Sequence, residues 1–504
     1  MGRKKIVMND IELIVFEAKR VEFSAQIRAK KAYDNNKRRY IYDNQQQFGR
    51  EICDKFKNPE TLFVMAIAQM QSGKTGTMVS LIEQYINQFK IPLDNIYVIT
   101  GHSSISWKDQ TVEEFPQLLK DRIYHRDELD SKFRLHVHGK RNVLIIMDEV
   151  QIAARNKQTV HNVFEKLGFM NREYMYENDI KIVEFSATPD GVLNSRKQWS
   201  DAFSIVIGKP GDKYYGVFNY LDDGRILDSK DLSGWKKNGK HDKDLALNNI
   251  ADLGLFIEEK FSEPKYHIIR LPSALEAQRF LKSNMRHVCG DRYNYKDYDM
   301  TTGQVSINEI LKIKPHKHTF VFVKEMLRCS DKIEKHYLGI GYERCVIKNN
   351  DSVQCQGIAG RFCGYDTNPF SFIFVSRNSL ELYRAHFESG FSLDLPWNSN
   401  TTNRQTYADE DTCSETSESN ESNYGYRLFT DAERFTKLVE FTRMLGNWKP
   451  RKNIGMHIKE LQGHTSEDLV QRHWGLSLKN PKRMARGTDN IWVVWWLKNK
   501  FPGI

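Results

Sequence analysis

The segment Ala68–Thr75 combines residue types and spacing that suit phosphate binding. A small residue, four intervening residues and then Gly-Lys-Thr are typical of a loop whose backbone N–H groups point into one concavity. Gly73 lets a phosphate approach the backbone, Lys74 brings a positive charge to the β- and γ-phosphates, and the Thr75 hydroxyl can ligate Mg²⁺. The predicted nucleotide-binding residues are Gln71, Ser72, Gly73, Lys74, Thr75 and Gly76.

The flanks of this loop favour the same interpretation. The apolar run Leu62–Ile67 predicts a strand buried in a parallel sheet, and Thr77–Phe89 predicts a helix with one apolar face. A phosphate at the start of that helix would meet the positive end of its dipole. The alternative is an ordinary strand–turn–helix with a chance Gly-Lys-Thr, since Ala68 stands where the strict motif has glycine.

A second apolar strand, predicted at Val143–Met147, is followed at once by two acids. Ligands bind at the carboxyl ends of strands in open α/β sheets, so Asp148 is placed to hold Mg²⁺ on the phosphates. Glu149 is then assigned to orient and polarise the attacking water, and Gln151 joins the predicted catalytic set. The alternative is an acidic pair at a strand end without catalytic function.

Strands and helices alternate in two blocks, which predicts two parallel-sheet α/β lobes. The first block adds a strand at Ile96–Thr100 and another at Lys181–Phe185, which precedes Ser186-Ala187-Thr188. In the second block a helix is predicted at Ser273–Ser283. The predicted strands there are Tyr266–Arg270, Thr319–Val323, Cys345–Lys348 and Ser371–Val375.

Six segments follow from this pattern and from shifts in composition. A basic N-terminal segment is followed by the ATP-binding lobe, a hinge or insert, the second lobe, a polar linker rich in Ser, Asn and acids, and a small basic α+β domain. Their predicted bounds are 1–45, 46–212, 213–250, 251–397, 398–425 and 426–504.

Composition sets broad limits on the class of protein. The 504 residues are 40% hydrophobic and 28% charged, as in globular proteins, and no apolar stretch reaches the ~20 residues needed to span a bilayer. Seven cysteines without a Cys-x-x-Cys pair favour reduced thiols in an intracellular protein with no membrane association. A net charge of +10 weakly favours a polyanionic partner.

The C-terminal domain combines basic residues with tryptophans. Such a mixture can bind phosphates and stack bases, but Trp492–Trp496 alternates like a strand whose rings belong to a core. Contact with nucleic acid and an ordinary solvated face therefore remain alternatives. Protein partners are a further expectation for this domain and for the linker 398–425.

Taken together, the motifs resemble those of the superfamily 2 helicases and translocases. Gly73-Lys74-Thr75, Asp148-Glu149-Val150-Gln151 and Ser186-Ala187-Thr188 resemble motifs I, II and III in order and spacing. The resemblance implies two RecA-like lobes and an adenine-reading glutamine among residues 45–47, assigned to Gln47. It also implies nucleic-acid contacts at Ser103, Trp107, Gln110, Ser186 and Thr188.

The second half carries two further resemblances, to motifs V and VI. Val321–Arg328 resembles motif V and adds Lys324 to the nucleic-acid contacts, while Gln356–Arg361 resembles motif VI. Gly364 stands where the family has a second arginine that reaches the γ-phosphate. Arg361 is therefore the predicted arginine finger, and Arg328 is its substitute at the nucleotide.

The resemblance implies an ATPase that uses ATP and Mg²⁺ to move along or remodel DNA or RNA through contacts with the nucleic-acid backbone. The second half in particular is similar to helicase-like proteins of large DNA viruses and phages, which implies the host cytoplasm or nucleus, or packaging in a virion. The alternatives are a nucleotide-dependent binding or scaffolding module with weakened hydrolysis and the motor part of a nuclease or restriction system. The choice between DNA and RNA, the polarity and the oligomeric state stay open.

Overall fold

The chain divides into two units, Met1–Asp409 and Glu410–Ile504. The computed structural model describes residues 8–33, 41–100, 112–148, 159–189, 199–235, 241–299, 306–324, 332–345, 350–366, 368–391, 397, 424–430 and 491–497. Among these residues, no helix has the length and apolar character needed to cross a bilayer.

The first unit is built on two parallel sheets of six strands each, which confirms the predicted two-lobed α/β class. Sheet 1 has the order β3-β2-β4-β5-β1-β6 and sheet 2 the order β7-β12-β11-β8-β10-β9. The strands of sheet 1 are β1 (Phe63–Ala68), β2 (Ile96–Thr100), β3 (Ile123–His125), β4 (Val143–Asp148), β5 (Ile180–Ser186) and β6 (Phe203–Gly208). The strands of sheet 2 are β7 (Ile226–Leu227), β8 (Tyr266–Arg270), β9 (Asn294–Tyr298), β10 (Thr319–Val323), β11 (Leu338–Tyr342) and β12 (Phe372–Phe374).

Helices connect these strands. Those before and within lobe 1 are α1 (Asp10–Tyr33), α2 (Asp43–Lys55), α3 (Lys74–Phe89), α4 (Arg134–Val137), α5 (Thr159–Lys166) and α6 (Arg172–Asn178). Those that follow are α7 (Val217–Asp222), α8 (Lys243–Lys260), α9 (Leu275–Cys289), α10 (Ile307–Leu311), α11 (Asp351–Gln354), α12 (Gly360–Phe362) and α13 (Arg377–Glu388). A π-helical turn at Cys355–Ala359 joins α11 to α12.

Strand β1 shows how sheet 1 is held. Val64, Ala66 and Ala68 lie in one apolar cluster with residues of α2 and α3, while Met65 and Ile67 lie in another. All six residues of β1 are buried, as expected for a strand covered on both faces. The sheet therefore holds the ends of its strands, where the predicted site residues lie, in fixed relative positions.

The two lobes share a continuous apolar cluster. Met70 and Tyr214 belong to it together with Ile358 and Phe362 of the second lobe. The lobes are therefore packed against each other in this conformation, next to the loop that follows β1.

Two strands of sheet 2, β7 and β11, were not predicted from the sequence. Strand β11 precedes the strand predicted at Cys345–Lys348, of which Cys345 is irregular and 346–348 fall outside the described residues. Strand β11 contains glycines because the helical segment packs closely on it: a Cβ at Gly341 would lie 2.4 Å from Ile358. In addition, sheet 2 begins at β7, inside the predicted hinge 213–250, since a two-residue strand carries no periodic pattern.

In the second unit, the described residues form an antiparallel pair. Strand β13 (Tyr424–Thr430) pairs with β14 (Ile491–Leu497), with Tyr424 opposite Leu497. The strand predicted at Trp492–Trp496 is thus confirmed.

Candidate nucleotide site

The loop between β1 and α3 has the conformation of a phosphate cradle. Gln71 and Gly73 both have positive φ angles, +53° and +99°, which turn the chain sharply before α3 begins. Thr77 N donates to Gly73 O, at 3.3 Å. In any α-helix the N–H groups of the first turn have no acceptor within the helix, so they are directed toward a ligand at the N-terminus. Lys74 and Thr75 occupy that first turn and are half-buried.

Gln45 of α2, rather than the predicted Gln47, supports this loop. Gln45 is buried, its amide Nε2 donates to Gly73 O at 3.0 Å, and its Oε1 accepts from Tyr42 N at 2.9 Å. Gln47 is exposed and donates to Glu51 one helical turn away. The structure thus places Gln45, rather than the predicted Gln47, against the loop, because α2 turns the Gln47 side chain away from it.

Gly73 is required by this packing. A Cβ at this position would lie 2.0 Å from Gln45 Nε2, and the φ angle of +99° disfavours any side chain. Ser72 is also buried, and its hydroxyl donates to Gln69 O at 2.7 Å, so it stabilises the turn.

Asp148 lies at the same edge of sheet 1 as the loop. It is the last residue of β4 and is 6% exposed. Since β5 alone separates β4 from β1, the two strand ends are roughly 10 Å apart. The Asp148 carboxylate and the Thr75 hydroxyl are hard oxygen donors of the kind Mg²⁺ prefers, so these residues fit a nucleotide-bound Mg²⁺ between them.

Ser186 ends β5 at the same edge, Thr188 follows two residues later, and both are buried. They are 0% and 2% exposed, and Thr188 N donates to Ser186 Oγ at 3.1 Å. Their predicted contact with nucleic acid stays a prediction, and in this conformation both hydroxyls are buried. Lys324 is half-buried directly after β10, at the carboxyl edge of sheet 2, where a ligand can reach it.

The predicted motif VI segment lies against the loop. A Cβ at Gly360 would be 3.1 Å from Met70 Cγ, so the start of α12 contacts the phosphate loop directly. Arg361, the predicted finger, follows Gly360 and is 2% exposed. The structure therefore brings Arg361 to the lobe interface but encloses its side chain.

A buried ion pair positions this segment. Arg270 Nη1 lies 2.9 Å from Glu343 Oε2, and that oxygen also accepts from Ile358 N at 3.2 Å. Glu343 is fully buried at the end of β11. The carboxylate thus links the ends of β8 and β11 to the π-helical turn before Arg361.

Tyr365 joins the two lobes at the loop. Its hydroxyl donates to Ser72 O at 3.2 Å and accepts from Gly211 N at 2.9 Å. Its ring stacks on Tyr42, with centroids 5.8 Å apart and an interplanar angle of 7°, and meets Tyr214 edge-on. Tyr365 therefore contacts the start of α2, the phosphate loop and the segment that follows β6.

Tyr214 and Lys335 complete the contacts around the loop. The Tyr214 hydroxyl donates to Met70 O at 2.5 Å, and burial raises the pKa of Tyr214 well above its usual value, which keeps it a donor. Lys335 Nζ lies 3.2 Å from Gln71 Oε1. Sequence reasoning missed Tyr365, Tyr214 and Lys335, since a lone tyrosine or lysine far from the motif carries no spacing signal.

Six predicted site residues lie outside the described residues. They are Ser103, Trp107, Gln110, Glu149, Gln151 and Arg328.

Comparison with known proteins finds a viral relative in sequence. No family model matches the chain. Uncharacterized protein L594 of Acanthamoeba polyphaga mimivirus is 28% identical over 327 residues, covering 60% of this chain and 77% of that protein.

Similar solved structures include three superfamily 2 helicases, the family that the motifs resemble. The E. coli DExH-box NTPase HrpB matches 66% of this chain and 42% of its own at 12% identity and TM-score 0.39. S. cerevisiae Dbp5 bound to RNA and ADP BeF3 matches 71% of this chain and 93% of its own chain, at 12% identity and TM-score 0.38. RecG bound to a three-way DNA junction matches 74% of this chain and 49% of its own chain, at 12% identity and TM-score 0.38. The chain spans less than half the length of HrpB. The fold is assigned from the two parallel sheets and not from these distant neighbours.

Proposed function

We propose that this protein binds Mg²⁺–ATP on the loop after β1 and couples its hydrolysis to movement along DNA or RNA. One observation carries the proposal: residues 360–366 of the second lobe contact the phosphate loop of the first. A nucleotide on this loop would enter the contacts that hold the lobes together. Its binding and hydrolysis would therefore change how the lobes pack.

Different residues of the site bind different parts of the nucleotide. Lys74 and the first-turn N–H groups of α3 bind the phosphates, and Thr75 with Asp148 holds Mg²⁺. The bound Mg²⁺ would neutralise charge on the β- and γ-phosphates. Glu149 orients the attacking water, and Arg361 approaches from the second lobe when the interface rearranges.

Nucleic acid is proposed to lie across both lobes and to be held by its phosphates. Movement along a strand requires contacts that do not depend on sequence, and the net charge of +10 suits a polyanion. Lys324, at the carboxyl edge of sheet 2, is the described residue that we assign to this contact. The mimivirus relative supports a role in a virus-infected cell.

The test is an ATPase assay of the full chain with a panel of single- and double-stranded DNA and RNA. We expect hydrolysis that rises with at least one nucleic acid and is abolished by Lys74→Ala. Lys90→Asn, at the exposed opposite end of α3, is the matched control and should keep the wild-type rate. Tight ATP binding by Lys74→Ala would refute the site, and hydrolysis indifferent to every nucleic acid would refute the coupling.

A second candidate is a module that binds nucleotide and nucleic acid but hydrolyses ATP slowly. The enclosed side chain of Arg361 and the glycine at 364 favour it, since an arginine finger contributes ~10³–10⁵ in rate in related enzymes. ATP binding without stimulated turnover would select this candidate.

A further inference from the structure

A buried lysine of the second lobe faces the phosphate loop. Lys335 lies three residues before β11, and its side chain is 2% exposed. Its ammonium lies 2.8 Å from Asp366 Oδ1 and 3.2 Å from Gln71 Oε1. Lysines are almost never fully buried unless they are paired, and here one partner, Gln71, belongs to the loop of the other lobe.

The ammonium reaches the loop because residue 364 has no side chain. A Cβ at Gly364 would lie 3.2 Å from Lys335 Nζ and 3.6 Å from Gln71 Oε1. The φ angle of +136° at Gly364 also disfavours any residue other than glycine. The backbone at this position is thus incompatible with an arginine, and Lys335 occupies the space that such a side chain would enter.

We propose that Lys335 is a second cation of lobe 2, in addition to Arg361, and that it binds the terminal phosphate of ATP held on the loop. This inference rests on the proposed nucleotide site. An ammonium has three donors on a flexible stem, so Lys335 can retain Asp366 while it exchanges the neutral amide of Gln71 for a phosphate oxygen. That exchange is favourable because hydrogen bonds between two charged groups are stronger than those to a neutral acceptor.

The consequence is that closure of the lobes depends on the terminal phosphate. Lys74 approaches the nucleotide from lobe 1 and Lys335 from lobe 2, on either side of one loop. ADP would keep the contact with Lys74 and lack the contact with Lys335. The alternative is that Lys335 only ties its own segment to Asp366.

The test measures equilibrium affinities of the full chain for AMP-PNP and for ADP, each with Mg²⁺. Lys335→Met should lower the affinity for AMP-PNP by about 10- to 150-fold, the loss expected for a hydrogen bond to a charged group, and leave the affinity for ADP unchanged. Lys332→Met is the matched control: this exposed lysine, three residues earlier, also pairs with lobe 1, through Glu114. It should leave the ratio of the two affinities as in the wild type.

A second variant covers the case in which Lys335→Met fails to fold. Asp366→Asn keeps Lys335 and removes its half-exposed counterion, so the preference for AMP-PNP over ADP should be retained or increased. A fall in that preference, or equal losses of both affinities in Lys335→Met, would overturn the proposal.

The failure of the site itself has a different signature. If the wild type binds neither nucleotide, or if Lys74→Ala binds both as tightly as the wild type, the proposed function fails and the role of Lys335 fails with it. If Lys74→Ala loses affinity for both nucleotides, the nucleotide site stands. The ratio of the affinities for AMP-PNP and ADP in the Lys335→Met variant then decides the role of Lys335.

Discussion

Removing one hydroxyl should loosen the contact between the lobes. The Tyr365→Phe substitution keeps the ring that stacks on Tyr42 and deletes the oxygen that bonds Ser72 O and Gly211 N. Both partners are backbone groups in lobe 1 or directly after β6. The change therefore removes hydrogen bonds between lobes and leaves the apolar packing in place.

The size of the effect follows from those two bonds. A neutral hydrogen bond contributes about 0.5–1.5 kcal/mol net, so losing both should weaken lobe contact by about 1–3 kcal/mol. This corresponds to an increase of about 5- to 150-fold in the population of the open state. The stacked ring of Tyr365 continues to contribute to closure, so the lobes should still associate.

Hydrogen exchange measured by mass spectrometry would detect this opening. Segments 68–74 and 209–216 should exchange faster by that factor, while the centre of sheet 1 should not change. Tyr295→Phe is the control, since its hydroxyl also contacts two backbone groups, Met285 O and Gly290 O, but both lie in lobe 2. Equal exchange in wild type and Tyr365→Phe at both segments would refute the reasoning.

Three further substitutions or conditions test other parts of the structure. Gly73→Ala should abolish ATP binding, measured by calorimetry, because its φ angle of +99° disfavours a side chain; wild-type affinity would contradict this. Glu343→Gln should lower the free energy of unfolding in urea by about 3–5 kcal/mol because it leaves Arg270 unpaired, whereas Glu258→Gln, in an exposed ion pair, should cost under about 1 kcal/mol. Burial holds the pKa of His267 well below its usual 6.5, so below about pH 6.5 the unfolded chain takes up a proton that the folded chain does not. The free energy of unfolding should therefore fall with decreasing pH, by up to about 1.4 kcal/mol per pH unit. In thermal unfolding, a His267→Gln variant should show a weaker dependence of stability on pH than the wild type.

The central strands were predictable from sequence because they are buried on both faces. Strands β1, β2 and β4 are almost entirely apolar, and β5 is mostly apolar, as expected for strands of a parallel sheet that are covered on both faces. Four of the strands that sequence reasoning missed, β3, β6, β7 and β9, are the edges of the two sheets, and the fifth, the central β11, is interrupted by glycines. Edge strands are short or partly polar, as in the exposed β9, so their pattern resembles that of a loop.

The same division holds for the site. The positions of Lys74 at the start of α3 and of Asp148 at the end of β4 were predictable because they depend on neighbours in the chain, a glycine turn before a helix and an apolar strand before an acid. Gln45 was one of three adjacent glutamines, and only the direction of the α2 side chains selected it over Gln47. The burial of Ser186 likewise depended on strands on either side of β5.

The sequence alone determined that this protein has a phosphate loop, an acid at the end of a parallel strand and two α/β lobes, because these are local patterns of backbone and hydrophobicity. Only the tertiary structure decided what faces the loop from the other side. Tyr365 and Lys335 lie 293 and 264 residues from their partners Ser72 and Gln71. Contacts of that range are set by how two separately formed lobes pack, and no spacing along the chain encodes them.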